Sequence, residues 1–100
     1  MKECVKWWEK AANQGLAVAQ TRLGLCYSSG DGVEKDMQKA VTWWQKAVAQ
    51  EDTEAQCLLG VCYYEGNGVA KDVKKGIDLL KKAAAQGSED ASDLLRELGY

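Results

Sequence analysis

An all-α solenoid of paired helices is the fold class this 100-residue sequence predicts, and three observations predict it. Residues 23–36, LGLCYSSGDGVEKD, recur as residues 59–72, LGVCYYEGNGVAKD, at an offset of 36. That period falls in the range of helical repeats, each of which is one helix pair. The same offset carries Trp7, Trp8, Lys10, Ala11 and Gln14 onto Trp43, Trp44, Lys46, Ala47 and Gln50, and Ala55, Leu58 and Leu59 onto Ala91, Leu94 and Leu95. Within each unit the apolar residues recur at helical spacing. The chain is therefore nearly three copies of one motif, about six helices with no separate domain between them.

Each element follows from this register. Met1 aligns with Met37, so the first segment, 1–15, is a partial repeat holding only the second helix of a pair, helix B. Full repeats are expected over 16–51 and 52–87, and a last partial repeat, 88–100, holds a helix A. In helix A of the first full repeat, Ala19, Leu23, Cys26 and Tyr27 share a face. Gly30 and Gly66 stand where helix A should stop, because glycine accepts the left-handed conformation that closes many helices. Asp31 with Gly32 and Asn67 with Gly68 then make the turn, and Val33 and Val69 pin it to the core. Asp36 and Asp72 precede the next apolar run as N-caps. Helix B puts Ala40, Trp43, Trp44, Ala47 and Val48 on one face and Gln38, Thr42, Gln45 and Ala49 on the other. Gly24 and Gly60, inside helix A, fit a close approach to a neighbouring helix. Glu51 occupies the position of Gly15 and Gly87, so a left-handed backbone is expected there.

Composition excludes several function classes. A net charge of −2 leaves no basic excess for phosphates, which argues against nucleic acid or an anionic membrane as partner. The first ten residues, MKECVKWWEK, carry five charges and do not read as a signal peptide. No run approaches the roughly 18 apolar residues of a membrane span. Chemistry is equally sparse. Histidine is absent, and no serine or cysteine has an evident activating partner. Glu51, Asp52 and Glu54 cluster at a helix start, where the helix dipole favours them. GDGVEKD lacks the alternating oxygens and closing glutamate of a calcium loop, and no strand precedes it for a nucleotide fold. Cys4, Cys26, Cys57 and Cys62 form no C-x-x-C pair and have no histidine company for zinc. They read as free thiols of a reducing, cytoplasm-like compartment. No metal and no cofactor is expected. All four tryptophans are expected to pack between repeats.

The pattern A-Q-x-x-L-G-x-C-Y-x-x-G-x-G-V-x-K-D followed by W-W-x-K-A resembles the Sel1-like repeat family, relatives of tetratricopeptide repeats, over nearly the whole chain. Arg96 in place of Gly24 and Gly60, and Leu79 with Leu80 in place of the tryptophan pair, depart from it. The resemblance implies a right-handed solenoid whose concave side is lined by helix A. It also implies a non-enzymatic scaffold that binds a protein or peptide there. Cysteine-rich members carry a disulfide between the end of helix B and the next helix A; the matching positions here are Val48 and Gln56, so that bridge is absent. On the face this arrangement turns inward lie Thr21, Arg22, Leu25, Ser28, Ser29, Cys57, Leu58, Val61, Tyr64, Glu65 and Glu97. Leu25, Leu58, Val61 and Tyr64 make an apolar stripe with no evident core to enter, beside charged Arg22, Glu65 and Glu97, as a peptide groove requires. Two alternatives stand beside this reading. One is a cell-wall or small-molecule binder with weak hydrolase activity, as cysteine-rich relatives suggest. The other is a purely structural block that associates head to tail through its terminal helices, using Trp7, Trp8, Leu94 and Leu98.

Overall fold

The computed structural model describes residues 2–30 and 33–100, with side chains from Val5 onward, so the Asp31–Gly32 turn and the thiol of Cys4 lie outside the described residues. Six helices and no strands are found among them: α1 (Lys2–Asn13), α2 (Ala17–Ser29), α3 (Met37–Val48), α4 (Thr53–Glu65), α5 (Val73–Ala85) and α6 (Glu89–Leu98). Odd-numbered helices are of the B kind and even-numbered ones of the A kind. Each packs chiefly on its neighbours in sequence, which draws the body out to 40 × 23 × 19 Å. This is the nearest-neighbour architecture of a solenoid.

The helix ends are fixed by the residues the repeat places there. The carboxylates of Asp36 and Asp72 accept from Lys39 N and Lys75 N at 3.1 Å each, as N-caps. Asp52 and Ser88 cap α4 and α6 in the same way, through Ala55 N and Ala91 N. Such caps contribute about 1 kcal/mol each. Gly30 and Gly66 close α2 and α4 with φ of 76° and 74°. The loops then return identically: Asp36 N donates to Tyr27 O and Asp72 N to Tyr63 O. Lys39 lies over the Tyr27 ring and Lys75 over the Tyr63 ring, one repeat apart.

Three core clusters lie between successive helices. Val5, Ala12, Ala19 and Leu23 join α1 to α2; Ala40, Val41, Trp44, Ala47, Ala55, Leu59 and Cys62 join α3 to α4; Cys57, Ile77, Leu80, Ala83, Ala91 and Leu95 join α4, α5 and α6. Trp44 is 2% exposed, and its indole N–H donates to Thr21 O at 3.1 Å. That indole lies directly on Gly24, where a methyl group would meet the ring. Gly60 instead meets the Gly76 backbone and Leu80, at the position equivalent to Trp44. The replacement of Trp44 by Leu80 thus accompanies the replacement of Ala40 by Gly76, and both bring the helices together.

Two expectations about packing need correction. Trp44 is buried and Trp43 half-buried, but Trp7 is 69% exposed, because no described helix packs on that side of α1. Leu94 and Leu98, expected to stand open for docking, pack against the cluster of α4, α5 and α6.

Glu51 has φ of 61°, beside 89° at Gly15 and 98° at Gly87 in the equivalent loops. A left-handed backbone costs a side chain with a Cβ roughly 1–2 kcal/mol. Glycine removes that cost and returns part of it as unfolded-state entropy. Glu51→Gly is therefore expected to raise stability by up to about 1 kcal/mol in urea unfolding. A lower midpoint would show that the loop does not hold Glu51 left-handed in solution.

Candidate functional site

A groove of about 730 Å³ crosses the even-numbered helices. Arg22 and Leu25 of α2, Thr53, Glu54, Cys57 and Leu58 of α4, and Gln86 to Asp90 at the α5–α6 junction line it. Solenoid stacking produces it: α2, α4 and α6 lie on one side, and their inward positions recur every 36 residues. Leu58 stands where Arg22 stands one repeat earlier, and Asp90 where Glu54 stands.

The expected residues fall into three groups. Arg22, Leu25, Cys57 and Leu58 share the groove. Arg22 reaches across from α2 to Glu54 of α4 at 3.2 Å, with both side chains about half exposed. A pair this open contributes little to stability, but it fixes one wall. Leu25 and Leu58 are half-buried against the α3–α4 core and so form a rigid floor. Ser28 and Ser29 turn their hydroxyls back onto Leu25 O at 2.9 and 3.0 Å, within their own helix. Glu65 and Glu97 are exposed and do not line the groove.

Thr21, Val61 and Tyr64 differ from expectation. Thr21 is 2% exposed and its hydroxyl has no partner, so its side chain does not face a ligand. The apolar stripe does have a core to enter: Val61 and Tyr64 pack on the cluster of Cys57, Ile77 and Leu80. Helix α4 packs on α3 and on α5 at once, so its apolar flank is wider than one stripe. Thr53, Glu54 and Gln86 to Asp90 were not expected in the site. Glu54 and Asp90 could have been found by comparing equivalent positions down the three even helices; the loop residues carry no such signal.

Burial pushes the Cys57 thiol up, and the carboxylates of Asp90 and then Glu54 add to it. Burial and then Glu65 push Cys62 up from 9.0 to about 11. Both thiols are free and protonated at neutral pH, which makes them packing groups rather than nucleophiles. Among the described residues no group of three acidic, cysteine or histidine side chains could hold a metal ion, and no helix is long and apolar enough to cross a membrane.

This geometry, six helices in a 36-residue rhythm with four of them N-capped by a side chain, has counterparts among known proteins. The family model described as Sel1 repeat matches residues 1–16, 17–52 and 53–88. A Sel1 repeat protein from Oxalobacter formigenes is 38% identical with a TM-score of 0.85, over 90% of this chain and 37% of that one. The protein c5321, a protective antigen of uropathogenic Escherichia coli strains with an SLR fold, is 37% identical with a TM-score of 0.88, over 91% of this chain and 20% of its own. Cysteine rich protein B of Helicobacter pylori is 33% identical with a TM-score of 0.84, over 91% of this chain and 68% of that protein. The chain thus spans well under half of the first two. None of the curated proteins matches it. With two whole repeats and part of a third matched, and with these structural counterparts, the chain belongs to the Sel1 repeat family.

Proposed function

We propose that this chain is a non-catalytic interaction scaffold that holds an extended segment of a partner protein in the groove across α2, α4 and α6. The observation that carries this reading is the half-buried apolar floor of Leu25 and Leu58 inside a polar rim of Arg22, Thr53, Glu54 and Asp90. Apolar anchors surrounded by polar groups that exclude water are what a peptide site needs. Sel1 repeats serve generally as protein-interaction modules, which supports the class of partner. With no histidine, and a Cys57 thiol that burial keeps protonated, the groove lacks an activated serine or cysteine nucleophile.

Peptides selected from a random displayed library on the immobilised chain test this. Leu58→Ala and Leu25→Ala should weaken the selected peptides by about fivefold or more, a loss near 1 kcal/mol. Leu79→Ala, a half-buried position on the same core outside the groove, should lower the melting temperature comparably and leave affinity unchanged. Equal loss of affinity in all three variants, or in none, would contradict the proposal.

A second reading rests on Trp7, Leu16 and Val18, which are 69%, 56% and 60% exposed. Trp7 and Leu16 flank a shallow apolar hollow of about 230 Å³ with Ala11. The equivalent tryptophan, Trp43, packs on the α1–α2 core. The face around Trp7 therefore fits the even helix of another repeat unit, including one from a second copy, in a heterologous contact. Light scattering should show a mass that rises with concentration and stops rising in Trp7→Glu. A constant monomer mass in the parent chain would refute self-association.

A further inference from the structure

The groove holds more negative charge than its internal pairing uses, and this bears on what it accepts. We propose that it selects a segment in which a lysine or arginine stands beside an apolar side chain. This rests on the peptide-groove reading and gives that groove a chemistry.

Three carboxylates, Glu54, Glu89 and Asp90, line the groove against one guanidinium, Arg22. Arg22 is already engaged with Glu54 at 3.2 Å, and no ion pair is found for Glu89 or Asp90 among the described residues. Two negative charges at one end are therefore uncompensated. Acidic residues in a first helical turn are common because they complement the helix dipole. Asp90 does more than that: it lines the groove together with Cys57 of α4, whose thiol it helps to keep protonated.

The apolar floor and the acidic rim are adjacent, which suits one kind of side chain particularly well. Lysine and arginine lay a hydrocarbon stem on apolar surface while the charged head reaches polar surroundings. A neighbouring leucine-like residue would sit over Leu25 and Leu58, with the cationic head at Glu89 and Asp90. An anionic ligand would find no seat at the positive end of α6. Ser88 Oγ already accepts from Ala91 N at 3.1 Å, and the two carboxylates of the first turn repel a further anion. Gln86 is held to Thr53 Oγ1 at 2.9 Å, which keeps the rim in place beside them.

Fluorescence anisotropy with the full chain and three labelled octapeptides tests the selection. The peptides share a leucine pair flanked by lysine, by glutamine or by glutamate. The lysine peptide should bind about tenfold more tightly than the glutamine peptide, and the glutamate peptide most weakly. Glu89→Gln combined with Asp90→Asn should remove the tenfold preference and bring the lysine peptide to the level of the glutamine peptide in the same variant. Both positions are exposed, and circular dichroism checks that the variant remains folded. Equal affinity for all three peptides, tightest binding of the glutamate peptide, or an unchanged lysine preference in the variant would overturn the charge selection while leaving a peptide groove standing. Binding of none of them would overturn both.

Discussion

The rest of this structure depends on bare backbone meeting backbone where α4 crosses α5. A methyl group on Gly76 would lie 2.6 Å from Gly60 O and 2.8 Å from Tyr64 N. Each glycine inside a helix costs about 1 kcal/mol of propensity relative to alanine. Two of them at one crossing are retained because the contact lets Leu80, 1% exposed, and Ile77, 5% exposed, reach the α4 and α6 core. Burying such side chains contributes about 1.5–3 kcal/mol each. The earlier crossing reaches the same end differently, with Gly24 beneath the Trp44 indole. One helix pair fills the space with an aromatic ring; the other removes the space.

Those crossings set where α2, α4 and α6 lie, and hence the groove. Its rim also depends on a local exchange of partners. Gln20 Nε2 donates to Ala12 O at 3.3 Å, and its Oε1 accepts from Gln50 Nε2 at 3.1 Å. One repeat later, Gln86 stands in the place of Gln50 but accepts from Thr53 Oγ1 instead. Gln56, the counterpart of Gln20, is fully buried with both amide atoms unpartnered. An unsatisfied buried amide costs roughly 1–3 kcal/mol. The second repeat thus leaves unpartnered a buried amide whose counterpart in the first repeat is satisfied.

Much of the fold was legible in the sequence because periodicity and capping are local. Gly30, Gly66, Asp36, Asp72 and the left-handed Glu51 all follow from a 36-residue register and the chemistry of helix ends. Val41 escaped, being buried on the flank of α3 that the simple two-face division leaves out. The site was legible only in part. Leu25, Leu58 and Arg22, which facing alone puts on one side, line one groove, whereas Thr21 is buried and Tyr64 packs on the α4–α5–α6 cluster. Facing is set by one helix; burial is set by the helices packed on it, as Trp44 of α3 lies on Thr21 and Gly76 of α5 on Tyr64, and no local pattern encodes their distance and twist. For the same reason the contribution of the α5–α6 loop became visible only once the repeats were stacked.

The glycine crossing can be tested through the sign of one substitution. Gly76 lies inside α5, so helix propensity alone would make Gly76→Ala stabilising by about 1 kcal/mol. The close approach to Gly60 O and Tyr64 N predicts the reverse, since backbone on both sides cannot move aside as a flexible side chain would. Urea unfolding should show a loss of about 1–3 kcal/mol, the range of overpacked cores. A gain in stability would contradict the account, because it would mean that α4 and α5 do not meet through their glycines.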